Sequence, residues 1–530
     1  MIGPVSSRRL VAATAAAVLA LSVAACGSGS SNGSGGSTLV IDTTFDLKTA
    51  DPGREYELTG QLLAHSMYDT LLAFAGNDLT KPVGNLAASY QLSSDAKTLT
   101  LPLAPGRVFA DGSPVTADDV VFSFNRLIGI KGNPSFLLDG VTVSKKDPAT
   151  IVLTSAKPNP ALPYILPTPA LSVLNTKVVT ANGGSADQRD AAEGYLNKAS
   201  AGSGPYELKT LDVASQAVLT RNPRYNGPAK PHYATIVLRN VKAATQSLNV
   251  QKGDSQVALD LSGDQVGGLD TSKVTVTSGA SGYSIYLMLN QSAGVSSATS
   301  NPRFVSAVKK AINYTDLLGV AGRGAVRPAG IIPSVIGGAL PPDQGIKQDL
   351  DGAKADLAAS GAAGQRAKLS YPSDYTLNGL SFQTLAEKLQ AQLAAAGITV
   401  DLAPGPVATE LDNYRNGKEQ IGLWYWGPDF PDPSNYLAFA PGGLISKRAN
   451  WPTTAAPDID KLANQAATTS DPAQRTALYQ QLQRDLNAGG PFIPLIQPPT
   501  NIVTANSVTG AVYNPIWSVD VSAISATSAK

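Results

Sequence analysis

Residues 367–402 restrict the fold more than any other stretch of the 530-residue chain. "AKLSY" reads as a strand, residues 380–396 as a helix, Gly397 as its stop and "ITVDL" as a second strand. Strand, helix and strand in that order form a crossover unit, which joins a parallel pair through a right-handed connection. The chain is therefore expected to be α/β. The same mixture recurs elsewhere. "TLVIDTTF" reads as a strand. Residues 57–73 read as a helix with Leu58, Leu62, Leu63 and Leu71 among its apolar positions, and "SYQLSSDAKTLTLPL" as two strands joined by a polar turn at 93–97. In "SPVTADDVVFSFNRL", Thr116 is placed to cap a helix whose first turn holds Asp118 and Asp119. "NPRFVSAVKKAINYTDLLGVAG" predicts two helices, Pro302 opening the first, Thr315 capping the second and Gly322 ending it. No internal repeat is visible.

A chain of this length exceeds a single core, so about two to four domains are expected. Composition is that of a globular protein, 43% hydrophobic and 15% charged, with a net charge of +1. That balance supplies neither a basic stripe for nucleic acid nor an acidic tail.

The single cysteine, Cys26, has a particular setting. Arg8 and Arg9 precede a run over 10–25 without a charged residue, ending Val23-Ala24-Ala25. The run is short of the ~20 apolar residues of a membrane span and fits the apolar region of a signal peptide. The stretch resembles a lipoprotein signal, cut before Cys26, whose thiol then carries lipid. The mature chain would lose two arginines and stand near −1. "GSGSSNGSGGST" at 27–38 reads as a flexible tether with a reach of roughly 20 Å. With one cysteine there is no internal disulfide. The expectation is an extracytoplasmic body on a lipid leash.

Enzyme motifs are scarce. The two histidines, His65 and His232, have no second histidine or cysteine at ligand spacing, so no metal site is expected. Neither G-x-S-x-G nor a P-loop is present. Ser306 and Lys309 match S-x-x-K, but its companion motifs are missing and the pair lies in a plain amphipathic helix. "DLDG" at 349–352 lacks the rest of a calcium loop. Neither enzyme activity nor a cofactor is expected.

Five blocks in order resemble the extracytoplasmic solute-binding proteins of ABC importers, in the family of the oligopeptide-, dipeptide- and nickel-binding proteins. They are "SYQLSSDAKTLTLPLAPGRVFADGSPVTADDVVFSFNRL", "GSGPYELK" with "LTRNPRYNGPAKPHYATIVLRNV", "NPRFVSAVKKAINYTDLL", "WYWGPDFPDPSNYL" and "DPAQRTALYQQLQRDLNAGGPFIPL". The resemblance implies a two-lobed, periplasmic-binding-protein-like clamp with an extra inserted subdomain. Its implied divisions are a signal peptide over 1–25, a lipid-anchored linker over 26–38, and a first lobe from 39–75, 196–280 and 499–530. A subdomain would be inserted at 76–195 and the second lobe would span 281–498. The hinge crossings would lie near Tyr283 and Gln497. A monomer is implied, delivering a small solute, foremost an oligopeptide, to ABC permease subunits. Its place would be the outer face of the cytoplasmic membrane, held there only by the lipid. An oligosaccharide or a chelated metal is the alternative ligand. A lipoprotein enzyme or signalling adaptor on the same fold is the alternative of another class.

The stretch "WYWGPDFPDP" at 424–433 holds two of the chain's four tryptophans and two aspartates among prolines. Alternation places Trp424 and Trp426 on one face and Tyr425 on the other. One of the tryptophans can be core, and Asp432 before Pro433 suits a turn. In peptide-binding members of the family, an aspartate three residues after a tryptophan pairs with the peptide's amino group. The resemblance thereby implies Asp429 as the amino anchor, with Asp432 or neither acid as alternatives. It further implies backbone pairing of the ligand with Tyr425 and Gly427, walls from Trp424 and Trp426, and a facing strip at 56–59 that includes Tyr56 and Leu58.

Overall fold

The computed structural model describes residues 37–527, and there the chain folds as an α/β protein with three principal sheets. The signal peptide, Cys26 and the tether up to residue 36 lie outside the described residues. Thr38, expected to close the tether, is the first residue of the strand Thr38–Thr43. That strand lies at the middle of a seven-stranded sheet. On one side it pairs parallel with Thr235–Asn240, followed by Gln216–Arg221 and Tyr206–Asp212. On the other side come Val257–Ala258, Pro499–Ala505 and Val274–Ala280. One sheet is thus assembled from the start, middle and end of the sequence.

A second sheet has the order Thr399–Gly405, Arg366–Pro372, Ile421–Trp426, Ser284–Leu289, Phe492–Ile496. Its first two strands are the expected parallel pair, joined by the helix Phe382–Ala395. Ser381 caps that helix, and Gly397 leaves it at φ +82°, a conformation that favours glycine. A third, four-stranded antiparallel sheet carries Gln91–Leu92, Thr98–Pro102, Thr150–Ser155 and Val141–Asp147. The helix Ala117–Ile130 packs beside it and opens with a Thr116–Asp119 capping box.

The chain passes between the two larger sheets twice, at 281–283 and 497–498, and the crossings are tied together. The Ser281 hydroxyl donates to the Pro498 carbonyl at 2.7 Å, and Gln497 Nε2 donates to the Ser281 carbonyl at 2.6 Å. The two connections are thus bound to each other.

Two helix readings need correction. The helix expected over 57–73 stops at Met67, and Leu71 lies beyond it. Tyr68 leaves the helix in an extended conformation, and buried Asp69 beyond it accepts from Arg107 at 2.7 Å and from Ser203 at 2.8 Å. The second helix of the 302–321 pair is capped by Asn313, not Thr315; the Asn313 side chain accepts from the Asp316 amide. Among the described residues, no helix is long and apolar enough to cross a membrane.

Candidate functional site

Between the two larger sheets lies a cavity of about 770 Å³. Its wall on the seven-stranded side comes from the end of the first strand and from the loop and helix after it: Thr43, Asp46, Tyr56, Glu57, Leu58 and Thr59. The loop is anchored from beneath. Arg126, 1% exposed, makes paired contacts with Asp51 at 2.6 and 2.8 Å and with Asp190 at 2.8 Å. Asp51 in turn accepts from the Gly53 amide. Glu55 is fully buried without a hydrogen-bond partner, and burial beside other acids holds its carboxyl well above the ordinary range.

The opposite wall grows out of Ile421–Trp426. This strand pairs along its whole length with Ser284–Leu289, while its register with Arg366–Pro372 covers only Leu369–Ser370 against Ile421–Gly422. Past Gly422 that second edge has no neighbouring strand among the described residues. Tyr425 lines the cavity, packed on Phe382 at 6.1 Å and stacked on Tyr375 at 5.5 Å, with the two hydroxyls 2.7 Å apart. Tyr283 meets Tyr425 edge-on at 5.7 Å. Gly427 follows, and here only glycine fits: a Cβ would stand 2.4 Å from the Tyr283 ring.

Asp429 completes this wall. Its carboxylate accepts from the Tyr56 hydroxyl, which reaches it from the opposite wall, and from Asn435 Nδ2 at 2.7 Å. Burial raises the Asp429 carboxyl above its ordinary value, while these two donors oppose the shift. Tyr56, Leu58, Tyr425, Gly427 and Asp429 all line the one cavity.

The two tryptophans do not. Trp424 is 3% exposed, stacked on Tyr414 at 4.6 Å, and its Nε1 donates to Glu419 at 2.8 Å. It is a core residue, a correction to its expected place as a ligand wall. Trp426 is half-buried against the same core, edge-on to Phe439 at 6.1 Å, with Nε1 donating to Asn435 at 3.1 Å. Both share the strand face that the aromatic core covers, and period-two alternation leaves Tyr425 for the cavity. A carbohydrate platform of stacked tryptophans is therefore not formed. Asp432 is also accounted for. It is 1% exposed, caps the turn Pro433–Phe439 and receives both terminal nitrogens of Arg475, at 2.6 and 2.8 Å.

Sequence reading missed Asp46, Asp260 and Tyr375, which lie outside the quoted blocks and are brought together from distant segments by tertiary folding. Tyr283 was named only as a hinge position, and Asn435, inside "WYWGPDFPDPSNYL", was not singled out. His65 stacks on Trp517 at 4.2 Å. Ser306 donates to Asp356, whereas Lys309 is buried with Nζ on the Asn487 and Gly490 carbonyls, its ammonium pushed down to about 7. Each partner of the S-x-x-K match is thus committed to a different neighbour.

Glu419, beneath Trp424, is expected to make stability depend on pH. Burial pushes its carboxyl up to about 8 from 4.5. A raised native value means that its contribution is complete below about pH 4.5 and is lost as pH rises through about 8. The loss amounts to roughly 3–6 kcal/mol at 1.36 kcal/mol per unit. Glu419→Gln keeps an acceptor for Trp424 and should flatten the fall in melting temperature between about pH 5 and 8. Identical profiles for the two proteins would refute the assignment.

Residues 81–443 match the family described as bacterial extracellular solute-binding proteins, family 5, and the chain belongs to that family. It is 29% identical over 495 residues to the probable D,D-dipeptide-binding periplasmic protein of Escherichia coli K12, covering 90% of this chain and 92% of that one. It is 26% identical over 531 residues to di/tripeptide-binding protein 4 of Pseudomonas aeruginosa, covering 94% and 96%. Its fold matches the ABC transporter substrate-binding protein of Listeria monocytogenes with a TM-score of 0.81 at 19% identity, covering 93% of this chain and 100% of that one. The fold is the two-lobed binding-protein clamp, and the family is one of extracytoplasmic substrate-binding proteins that work with ABC permeases.

Proposed function

We propose that the cleft captures a short peptide by its free amino group and presents it to an ABC permease, with Asp429 as the amino anchor. One observation carries this reading: Asp429 stands in the cleft wall with its carboxylate oriented by two neutral donors, Tyr56 and Asn435, and with burial pressing it toward neutrality. A bound ammonium supplies the missing positive charge, and in a closed cleft that pairing offsets the desolvation of both groups. The unladdered edge after Gly422 favours an extended ligand at Tyr425 and Gly427, as an added strand. The names of the two peptide-binding relatives support the same ligand class. Titration calorimetry on free and N-acetylated forms of one peptide tests the reading. The free form should bind at least about 30-fold more tightly; equal affinities would refute amino-group capture.

The protein acts as a monomer whose first lobe comprises 39–75, 196–280 and 499–530, with a subdomain at 76–195 and a second lobe at 281–498. The tied crossings at 281–283 and 497–498 support this division. Cys26 carries the lipid that retains the protein at the outer face of the cytoplasmic membrane. A single acyl chain binds only marginally, so lasting retention takes two or more. Labelled palmitate should enter the wild type and not Cys26→Ser; equal labelling would overturn the anchor.

A further inference from the structure

The charges around the cleft are of one sign. Four acids line it, Asp46, Glu57, Asp260 and Asp429, and none of its lining residues is lysine, arginine or histidine. Glu57 has a cation from outside the lining: Lys48 Nζ at 2.6 Å, on a side chain 74% exposed. The other three acids meet neutral donors. Asp260 accepts from the Thr43 hydroxyl at 3.1 Å, from Gln246 Nε2 at 2.8 Å and from the Thr44 amide. Asp46 has the Thr59 amide at 3.4 Å and otherwise opens into the cleft. Asp46 lines the same cavity as the aromatic wall formed by Tyr283, Tyr375 and Tyr425.

A carboxylate and a cluster of aromatic rings lining one cavity are a setting for a cation. The acid supplies the opposite charge, and the ring faces add an attraction that grows as water leaves. The same cleft treats anions in the opposite way. A ligand carboxylate would be desolvated among like charges with no protein cation to meet it.

We infer that the ligand is a peptide with a second positive charge, seated between Asp46 and the wall formed by Tyr283, Tyr375 and Tyr425, and that it brings no free carboxylate into the closed cleft. This rests on the peptide-capture reading above and narrows it to basic, carboxyl-blocked peptides or to those whose carboxyl end stays in solvent. Asp429 takes the amino terminus and Asp46 the basic side chain.

Calorimetry on the full mature chain with four probes tests the inference. Alanyl-lysine amide should bind about tenfold or more tightly than alanyl-alanine amide, and alanyl-glutamate should bind most weakly of all. Added salt should narrow the lysine advantage. Asp46→Asn should erase that advantage, bringing the two amides to within about twofold of each other. Equal binding of the two amides to the wild type would overturn the second-cation inference, and that comparison requires no variant to fold. If N-acetylation still abolished binding, amino-group capture would stand. Pentane-1,5-diamine is the fourth probe. Asp46-dependent binding of the diamine, with none of any peptide, would instead overturn peptide capture and keep the cation site.

Discussion

Asp429→Ala should weaken binding of a free-amine peptide by roughly 30- to several-thousand-fold, corresponding to the 2–5 kcal/mol typical of removing one partner from a buried charge pair. Acetylating the peptide should cost a similar amount, and the two losses should not add, because either change removes the same contact. Calorimetry on the four combinations of protein and peptide measures that coupling. Simple additivity would show that the amino group and Asp429 do not meet. The raised Asp429 carboxyl adds a pH signature. Its anionic form binds ammonium, so affinity should fall as pH drops through the raised value, beginning above the range of an ordinary aspartate. Binding should release protons in that window. Tyr56→Phe removes the donor that reaches Asp429 across the cleft and should reduce affinity less than loss of the carboxylate.

A large stability effect is expected three residues further on. Asp432→Ala should destabilise the protein by about 3–5 kcal/mol, because it leaves Arg475 buried and without its counter-charge. The Arg475 side chain is 10% exposed and its two terminal nitrogens are both on Asp432. Arg475 also lies over the Tyr479 ring at 5.0 Å, a contact that does not replace the lost carboxylate. Removing both charges, as in Asp432→Ala with Arg475→Met, should recover part of the loss, since an apolar replacement of a buried pair is far less costly than half of one. Chemical denaturation of the single and double variants checks this. A single variant within about 1 kcal/mol of wild type would show that the pair is dispensable. Asp429 and Asp432 share one short stretch but are expected to fail in different assays, one in binding and the other in folding.

The α/β class was legible because it rests on local physics. The 367–402 crossover unit, the Thr116 capping box and the Pro302 helix start are decided within a few residues by period, caps and stops. Helix ends were less legible where distant partners intervene: past the end of the first helix at Met67, Asp69 is held by Arg107 and Ser203 from far along the chain. The "WYWGPDFPDP" stretch divides in the same way. Alternation in the sequence separated Tyr425 from the two tryptophans. Which face meets the cavity depended on what packs behind the strand, and Tyr414, Phe439 and Glu419 draw the tryptophans into the core. Period alone sorts residues into two faces and carries no information about which face is covered. The clustering of Asp46, Asp260, Tyr283 and Tyr375 about one cavity was likewise decided by tertiary structure. Their charges and rings acquire a shared role only when two sheets built from distant segments face one another, because electrostatic and aromatic interactions act through space and not along the chain.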